Sequence, residues 1–523
     1  MTVALARAGI IVAGAFLVSR ILGWLRMTVI TGVFGVTSDV DAFFAAFRIP
    51  DLIFQLVAAG AIASALVPVV SALLAGEAQA RAWKVVSTVL NLTLVASVGL
   101  SILFWITAPA LVPLITPGFD EATTALTVDL SRLMILGPIF LALGAVVTAL
   151  LNASGRFAAA ALAPIAYNLG IIVAALLLGP SLGVTALAVG VVAGSAGHLL
   201  VQLPAVRRRT TFAYEPRIQR DDPDARKVFA LLVPRAIGMG AAQITFIVNT
   251  TLASTLVAGS ITAYYVAFTI LQLPIGFLAV PLGIVLLPTL SRTAAGGDAR
   301  ELARMVSAAL RPLAYAMMFV TATAIVTRVQ IVTLLFDYGR FDQAAIDLTS
   351  SVLLVFLLGL AAHGAIAILA RAFYASQDTK TPVAAAIVSV AVNVVVSVAT
   401  IVPLGLIGLA LGIAIGSWVE VAILLWRLAA VNPSFGARAQ LRAWGGFAAL
   451  ALAAAVPAAL ALMAVGVLLG PDLGKVAALL EAVVATAVAL IVYAGLSKVL
   501  HITELDQVVR IAVRSVRGER ARS

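Results

Sequence analysis

Runs of twenty or more predominantly apolar residues, separated by short polar connections, recur from one end of the chain to the other. A helix needs about 20 such residues to cross a hydrocarbon layer about 30 Å thick. The pattern therefore predicts membrane-spanning helices near 8–34, 43–75, 85–113, 124–151, 158–179, 184–205, 227–257, 261–290, 303–336, 346–374, 381–403, 405–430, 443–469 and 475–499. These are about fourteen spans, with little polar mass left for either side of the membrane, and the fold class is all-α and polytopic. The first run is too long for a signal-peptide core and no small-residue cleavage site follows it, so it reads as a retained span.

The polar connections alternate in sign. Those after the even-numbered runs hold Arg81 with Lys84, Arg156, Arg207 to Arg209 with Arg217 and Arg220, Arg292 with Arg300, Lys380, and Arg438. The intervening ones hold Asp39 and Asp41, Asp120 and Glu121, Asp342 and Asp347, and Asp472, with Arg340 and Lys475 as their clear basic residues. Basic loops stay on the cytoplasmic side of an inner membrane, which puts both termini there. The longest basic connection, 207–226, is the natural linker between two halves. The tail from His501 is basic and amphipathic through Val508, Val509, Ile511 and Ala512. It suits an interfacial helix at anionic headgroups and equally a solvated end.

The halves echo each other. Leu66-Val67-Pro68 with Ser71 returns as Leu286-Leu287-Pro288 with Ser291, 220 residues on. Ala153-Ser154 returns as Ala375-Ser376 at 222, as do Gly183, Leu187, Gly190, Gly194 and Ser195 as Gly405, Leu409, Gly412, Gly416 and Ser417. Six spans followed by a matching six, both entered from the same side, imply a parallel repeat about an axis along the membrane normal. The expected organisation is an N-terminal lobe at 1–206, the linker at 207–226, a C-terminal lobe at 227–432, two extra helices at 433–500 and the tail at 501–523. Two such lobes enclose a central cavity and rock to give alternating access, which favours a transporter.

Composition narrows the chemistry. Of 523 residues, 63% are hydrophobic and 11% charged, whereas a soluble domain carries about a quarter charged residues. The net charge of +11 is spread as short clusters between apolar runs, not as the basic patch a nucleic acid requires. No cysteine is present, which removes disulfides, thiol catalysis and thiolate metal sites. His198, His363 and His501 are too dispersed for a histidine metal centre. No cofactor is indicated.

Charges inside the apolar runs are the informative exceptions. The first two spans contain Ser19-Arg20-Ile21-Leu22-Gly23-Trp24-Leu25-Arg26 and Asp41-Ala42-Phe43-Phe44-Ala45-Ala46-Phe47-Arg48-Ile49-Pro50-Asp51. An arginine at a helix centre costs about 2.5–3.5 kcal/mol on insertion scales, so it persists where it faces water, a partner or a substrate. Arg20 and Arg26 are about 120° apart on a straight helix and converge if it bends, with Gly23 as a place to do so. Pro50 frees a backbone carbonyl one turn earlier, beside Arg48. Guanidinium groups hold phosphate oxygens bidentately and do not deprotonate, which suits capture of a phosphorylated anion. The bland alternative is that these arginines snorkel or pair with Asp41 and Asp51. Asp41 is either a gate group that pairs with an arginine in one state or a solvated loop carboxylate. Arg132 with Asp129 reads as a structural helical pair, Arg235, Arg311 and Arg371 as snorkelling residues, and Glu420 and Glu481 as interhelical hydrogen-bond partners or proton relays.

At these residues the chain resembles the MurJ (MviN) family of lipid II flippases, within the multidrug/oligosaccharidyl-lipid/polysaccharide exporter superfamily. The matching blocks are 19–26, Phe34-Gly35, Asp41 through Pro50, Asn249-Thr250, Leu273-Pro274 through Leu287-Pro288, and Ala370-Arg371-Ala372-Phe373-Tyr374-Ala375 through Pro382. The resemblance implies a flippase that carries lipid-linked peptidoglycan precursor from the inner to the outer leaflet. Lipid II, membrane lipids and other cell-wall synthesis proteins would be its partners. It implies Arg20, Arg26 and Arg48 as diphosphate ligands and Asp41 as a functional acid. Two departures stand out. Phe54 and Gln55 occupy a place where many members carry a basic residue, and Thr269, near Gln272, stands where many carry an arginine. The C-terminal lobe then contributes uncharged gate or cavity residues, Thr269 and Gln272. A sodium site of some members maps to Asn249, Asn393 and Ser397, which are uncharged and bind a hard cation weakly.

Three rivals remain at this level. A flippase for another undecaprenyl-diphosphate glycan needs the same cationic cavity. A cation-coupled drug exporter of related fold is expected to carry acids instead of arginines in its first lobe. A membrane glycosyltransferase wants paired acids or a histidine on a long outer loop, and the outer loops here are short.

Overall fold

The computed structural model describes residues 3–57, 61–219, 221–470 and 474–517. The chain divides into two compact units, one running to Thr262 and including Tyr338–Asp342, the other formed by Ala263–Asp337 and the chain from Gln343 on. The first holds α1 (Val3–Phe34), α2 (Ser38–Ala46), α3 (Arg48–Val57), α4 (Ala61–Ala75), α5 (Gln79–Ile115), α6 (Glu121–Met134), α7 (Leu136–Ala153), α8 (Phe157–Leu182), α9 (Thr185–Leu200), α10 (Leu203–Arg209), α11 (Pro223–Ala253) and the first turn of α12 (Ser260–Pro274). The second holds the rest of α12, a π-helical turn (Ile275–Ala279), α13 (Val280–Ala295), α14 (Ala299–Val326), α15 (Arg328–Phe336), α16 (Gln343–Leu358), α17 (Leu360–Ala375), α18 (Lys380–Leu404), α19 (Leu406–Val431), α20 (Ala437–Leu469), α21 (Gly474–Val499) and α22 (Thr503–Arg517).

Among the described residues, eleven helices are long and apolar enough to cross a membrane, or twelve if α16 and α17, bent by 44°, count as one span. The second and seventh expected spans are also helical, as α2 to α4 in three pieces and as α11.

Proline sets the breaks. Pro50 has no N–H for the carbonyl of Ala46, and the helix is interrupted there, between α2 and α3. The freed Ala46 carbonyl accepts from the Ser131 hydroxyl at 3.4 Å. Pro138 lies in the first turn of α7, just past the break from α6, and there Ser101 donates to the Ile135 carbonyl at 3.2 Å. Both serines are buried. In hydrocarbon no water can satisfy a freed carbonyl, so a neighbouring helix must supply the donor.

The repeat is written in backbone geometry as well as in sequence. Gly183 (φ 56°, ψ −144°) and Gly405 (φ 56°, ψ −133°) end α8 and α18 in the same conformation, and their N–H groups bond the carbonyls of Gly179 and Ile401 at 3.0 and 2.9 Å. Gly155 and Gln377, also 222 apart, are both left-handed, at φ 72° and 60°. Each closes a Schellman turn, through Arg156 N–H to Leu151 at 2.7 Å and Asp378 N–H to Phe373 at 2.9 Å. The small residues shared by the two sequence blocks face the same task. Gly194 lets α9 lie against the Tyr167 carbonyl of α8, and Gly416 lets α19 lie against the Ser389 carbonyl of α18. Asp378 then caps α18, accepting from the Lys380 and Thr381 N–H groups at 3.0 Å and from the Thr381 hydroxyl at 2.6 Å. These bonds hold its carboxyl below the ordinary carboxylate range.

The segment expected as a linker is a docked strap. With 37 residues, α5 is about 55 Å long and outruns the hydrocarbon layer. Its early turns carry buried Ser87, Thr88 and Asn91. Asn91 donates to the carbonyls of Glu215 and Arg217 at 3.0 and 3.1 Å and accepts from the Tyr214 hydroxyl at 2.7 Å. Ser87 and Thr88 accept from the Glu215 and Gln219 N–H groups at 3.1 and 3.3 Å. Phe212 meets Trp83 edge-on at 5.7 Å. Beyond the strap, Asp222 caps α11 and Arg81 of α5 pairs with Asp224 at 2.8 Å. In the second unit, α21 is tied to α14 by Tyr315 with Ser497 at 2.7 Å and by Tyr493 to the Tyr315 carbonyl at 2.9 Å. The basic tail begins as α22, held by Glu504 to Arg311 at 2.6 Å. Arg311 reaches this tail acid from α14, and the side chains of Ile511 and Ala512 lie outside the described residues.

Replacing Ser87 and Asn91 together by alanine removes four of the strap's bonds at about 1 kcal/mol each. Limited trypsinolysis of the folded protein should then cut after Arg217 several-fold faster, read by mass spectrometry. An unchanged rate means the strap is held by other contacts.

Candidate functional site

The sequence-predicted residues of the first unit fall into two groups. One gathers around α3 and α8. Arg48 is buried, its Nε donates to the Phe44 carbonyl at 3.1 Å, and its guanidinium lies 5.9 Å from the Phe47 ring. The break before α3 thus gives Arg48 a backbone acceptor in the preceding turn. Asp51, one turn along, lies within reach of the Arg48 charge and of the Gln55 side chain. Tyr167 of α8 is close enough to feel both Arg26 and Asp51, and the Arg26 guanidinium stands 5.8 Å from its ring. Two cations, one acid, one carboxamide and one phenol therefore share this part of the unit. Guanidiniums in such a mixture can hold an anion, and Asp51 can balance part of their charge.

Arg20 stands apart. Around Gly23, α1 continues as one helix, with open space about the glycine. Arg20 is exposed and lies over Phe16 at 5.2 Å.

The second group surrounds Asp41. This carboxylate is 3% exposed, so it is not a solvated loop acid. One oxygen accepts from the Gly259 N–H at 2.7 Å, and the other from the Thr262 N–H at 2.7 Å and hydroxyl at 2.6 Å. The first N–H groups of a helix have no partner within it, and a carboxylate there is favoured by the helix dipole. Asp41 is accordingly the cap of α12, supplied from a different helix. Gly259 is required by the fit: its φ is +88°, and a Cβ would meet the Val36 carbonyl oxygen at 2.7 Å. No arginine pairs with Asp41 among the described residues.

The remaining candidates are placed as follows. Thr269 is turned to its own helix, donating to the Tyr265 carbonyl at 2.8 Å, and Gln272 is partly buried one turn before the π-helical turn. Asn249 is buried near the end of α11 in the first unit. Asn393 and Ser397 come together in the second, Asn393 donating to Ser397 at 3.5 Å with Gly412 packed onto both. No cluster of three or more metal-ligating His, Cys, Asp or Glu side chains occurs among the described residues. Arg132 turns to Trp105, donating to its carbonyl at 3.1 Å and lying 4.7 Å over its ring, instead of pairing with Asp129. Glu481 accepts from Gln330 at 2.7 Å, an interhelical bond. Arg371 packs on Gly283 of α13 and donates to the Ala367 carbonyl at 2.5 Å. The Arg235 side chain lies outside the described residues.

Sequence reasoning missed Tyr167, Thr262 and Gly259. Tyr167-Asn168 is a polar step inside an apolar run, a signal of the same kind that revealed the arginines. Thr262 offers no such signal, because nothing in its vicinity marks a cap supplied from 221 residues away.

The family model described as "Lipid II flippase MurJ" matches residues 30–501. The chain belongs to the MurJ lipid II flippase family. A relative named lipid II flippase MurJ, from Burkholderia cenocepacia, is 32% identical over 428 residues, covering 79% of this chain and 81% of its own. A probable lipid II flippase MurJ from Rhizobium meliloti is 32% identical over 432 residues, 80% of each chain. In fold, the MurJ-family chain superposes on a lipid II flippase MurJ in its inward closed conformation with a TM-score of 0.78 at 23% identity, covering 94% of this chain and 99% of that one. An inward-facing multidrug resistance transporter of the MATE family gives 0.63 at 16% identity, covering 78% and 96%. The second match is one of architecture, as the superfamily resemblance implied.

Asp41→Asn turns one of the two accepting oxygens into a donor facing N–H groups and should lower stability by about 1–3 kcal/mol. Thr262→Val removes one hydroxyl donor and should cost about 1 kcal/mol. Thermal unfolding of the purified protein checks both; if Asp41→Asn melts with the wild type, Asp41 is not the cap.

Proposed function

We propose that this chain translocates lipid II from the cytoplasmic to the outer leaflet of the bacterial inner membrane by alternating access, with Arg20, Arg26 and Arg48 as ligands of the diphosphate. The reading is supported above all by the grouping of Arg26 and Arg48 with Asp51 and Tyr167 in the first unit. A lipid-linked diphosphate is a multiply charged anion of two tetrahedral groups, and guanidinium forks match pairs of its oxygens. Asp51 releases its share of the arginine field when the diphosphate arrives.

Basic connections face the cytoplasm in this reading, so both termini are cytoplasmic. The six-helix halves act as lobes that rock, and α20 and α21 stand outside the repeat. Asp41 belongs to the acidic, outward end, where capping of α12 would keep that side closed until the carboxylate lets go. Thr269 and Gln272 are the uncharged gate or cavity residues of the second half. Outward transfer of negative charge is favoured by an inside-negative potential, by about 2.3 kcal/mol per charge per 100 mV.

In cells depleted of their own lipid II flippase, the wild-type chain should restore growth. Arg20→Ala, Arg26→Ala and Arg48→Ala, made at normal levels, should each lose that rescue. Lysine at the same positions should restore part of it, since a point charge replaces the fork. Full rescue by the alanine variants would take the arginines out of the substrate's path. Trapping of a different undecaprenyl-linked glycan, with lipid II moving normally, would reassign the substrate.

A further inference from the structure

The first unit holds a second concentration of positive charge, far in sequence from the arginines of α1 and α3. Where α4 meets α5, α7 meets α8 and α10 runs into the strap, a recess of about 790 Å³ is lined by Arg156 and Arg208, with Gln79, Ser154, Thr211 and Trp83 around them. No carboxylate is among the described residues that line it. The neighbouring acids Asp222 and Asp224 are taken up by Arg81, and neither recess arginine forms an ion pair among the described residues. The Ser154 hydroxyl is buried and has no hydrogen-bond partner. Two guanidiniums, the Thr211 hydroxyl and the Gln79 carboxamide around one space are donors of the kind phosphate oxygens require.

The repeat supplies a control within the same chain. The position equivalent to Arg156 is Asp378, whose carboxylate caps α18. Arginine carries no acceptor, so Arg156 cannot cap α8, and that helix begins with no side-chain cap. The same turn in the second half is thus closed by its own acid, whereas in the first half it presents a cation.

We propose that this recess binds a phosphate group, carried either by the headgroup of an anionic phospholipid or by a small soluble phosphate ester. Trp83 forms one wall, and Phe212 of the strap packs on it, so occupancy also bears on where the strap begins.

The test uses the full chain in nanodiscs of phosphatidylcholine and reads the fluorescence of Trp83, with Trp83→Phe as the blank. The probes are dihexanoyl-phosphatidylglycerol below its micelle concentration, inorganic phosphate and glycerol 3-phosphate. A saturable response is expected, weakened about tenfold or more in Arg156→Ala and in Arg208→Ala, a loss of about 1.4 kcal/mol, and unchanged in Arg292→Ala, from a different basic connection. Response to the short-chain lipid alone assigns a headgroup, and an equal response to the soluble probes assigns a free phosphate; either supports the site. No saturable response to any probe, or one indifferent to both alanine variants, overturns it. The readout is binding, so it stands or falls apart from transport.

Discussion

Everything in this fold is subject to one constraint: within hydrocarbon, each backbone N–H and C=O must find its partner inside the protein. Proline violates that locally, and the response is specific. Ala46 loses its helical partner and gains the hydroxyl of Ser131. Because α2 and α3 are then separate pieces, Arg48 begins a new helix with the Phe44 carbonyl as its acceptor. The break that looks like damage is what puts a cation where a continuous span would not hold it.

The same accounting explains the polar residues near the basic end. Buried Ser87, Thr88 and Asn91 would be costly unpaired, and the strap's backbone would be equally unsatisfied without them. Each solves the other's problem. What the charge pattern presents as a mere connection is therefore held in place by side-chain bonds from α5.

Span number, the alternation of charge and the repeat were legible because each follows from periodicity and composition over tens of residues. The breaks were legible in part, since Pro50 announces a freed carbonyl. The donor that heals it, Ser131, is 85 residues away and leaves no local mark. Arg26 and Arg48 could be singled out because a charge in an apolar run is costly wherever it sits. The Tyr167 ring beside Arg26 could not, because that neighbour is decided by how α8 packs on α1. Asp41 shows the limit most plainly. Its sequence neighbours suggest a loop acid or a gate partner, and the role it has is fixed by the start of a helix more than two hundred residues later.

The twin Schellman turns have an implication for how the two halves have drifted. Gly155 and Gln377 share a backbone shape and a hydrogen-bond pattern, yet one residue is free to adopt it and the other is strained. A left-handed non-glycine residue costs about 1–2 kcal/mol, so the shape at Gln377 is held by its surroundings and not by its own preference. Inheritance in this molecule is therefore carried by bonding pattern more faithfully than by letters. A search for ancestry between the halves that compares residues alone will understate how alike they still are.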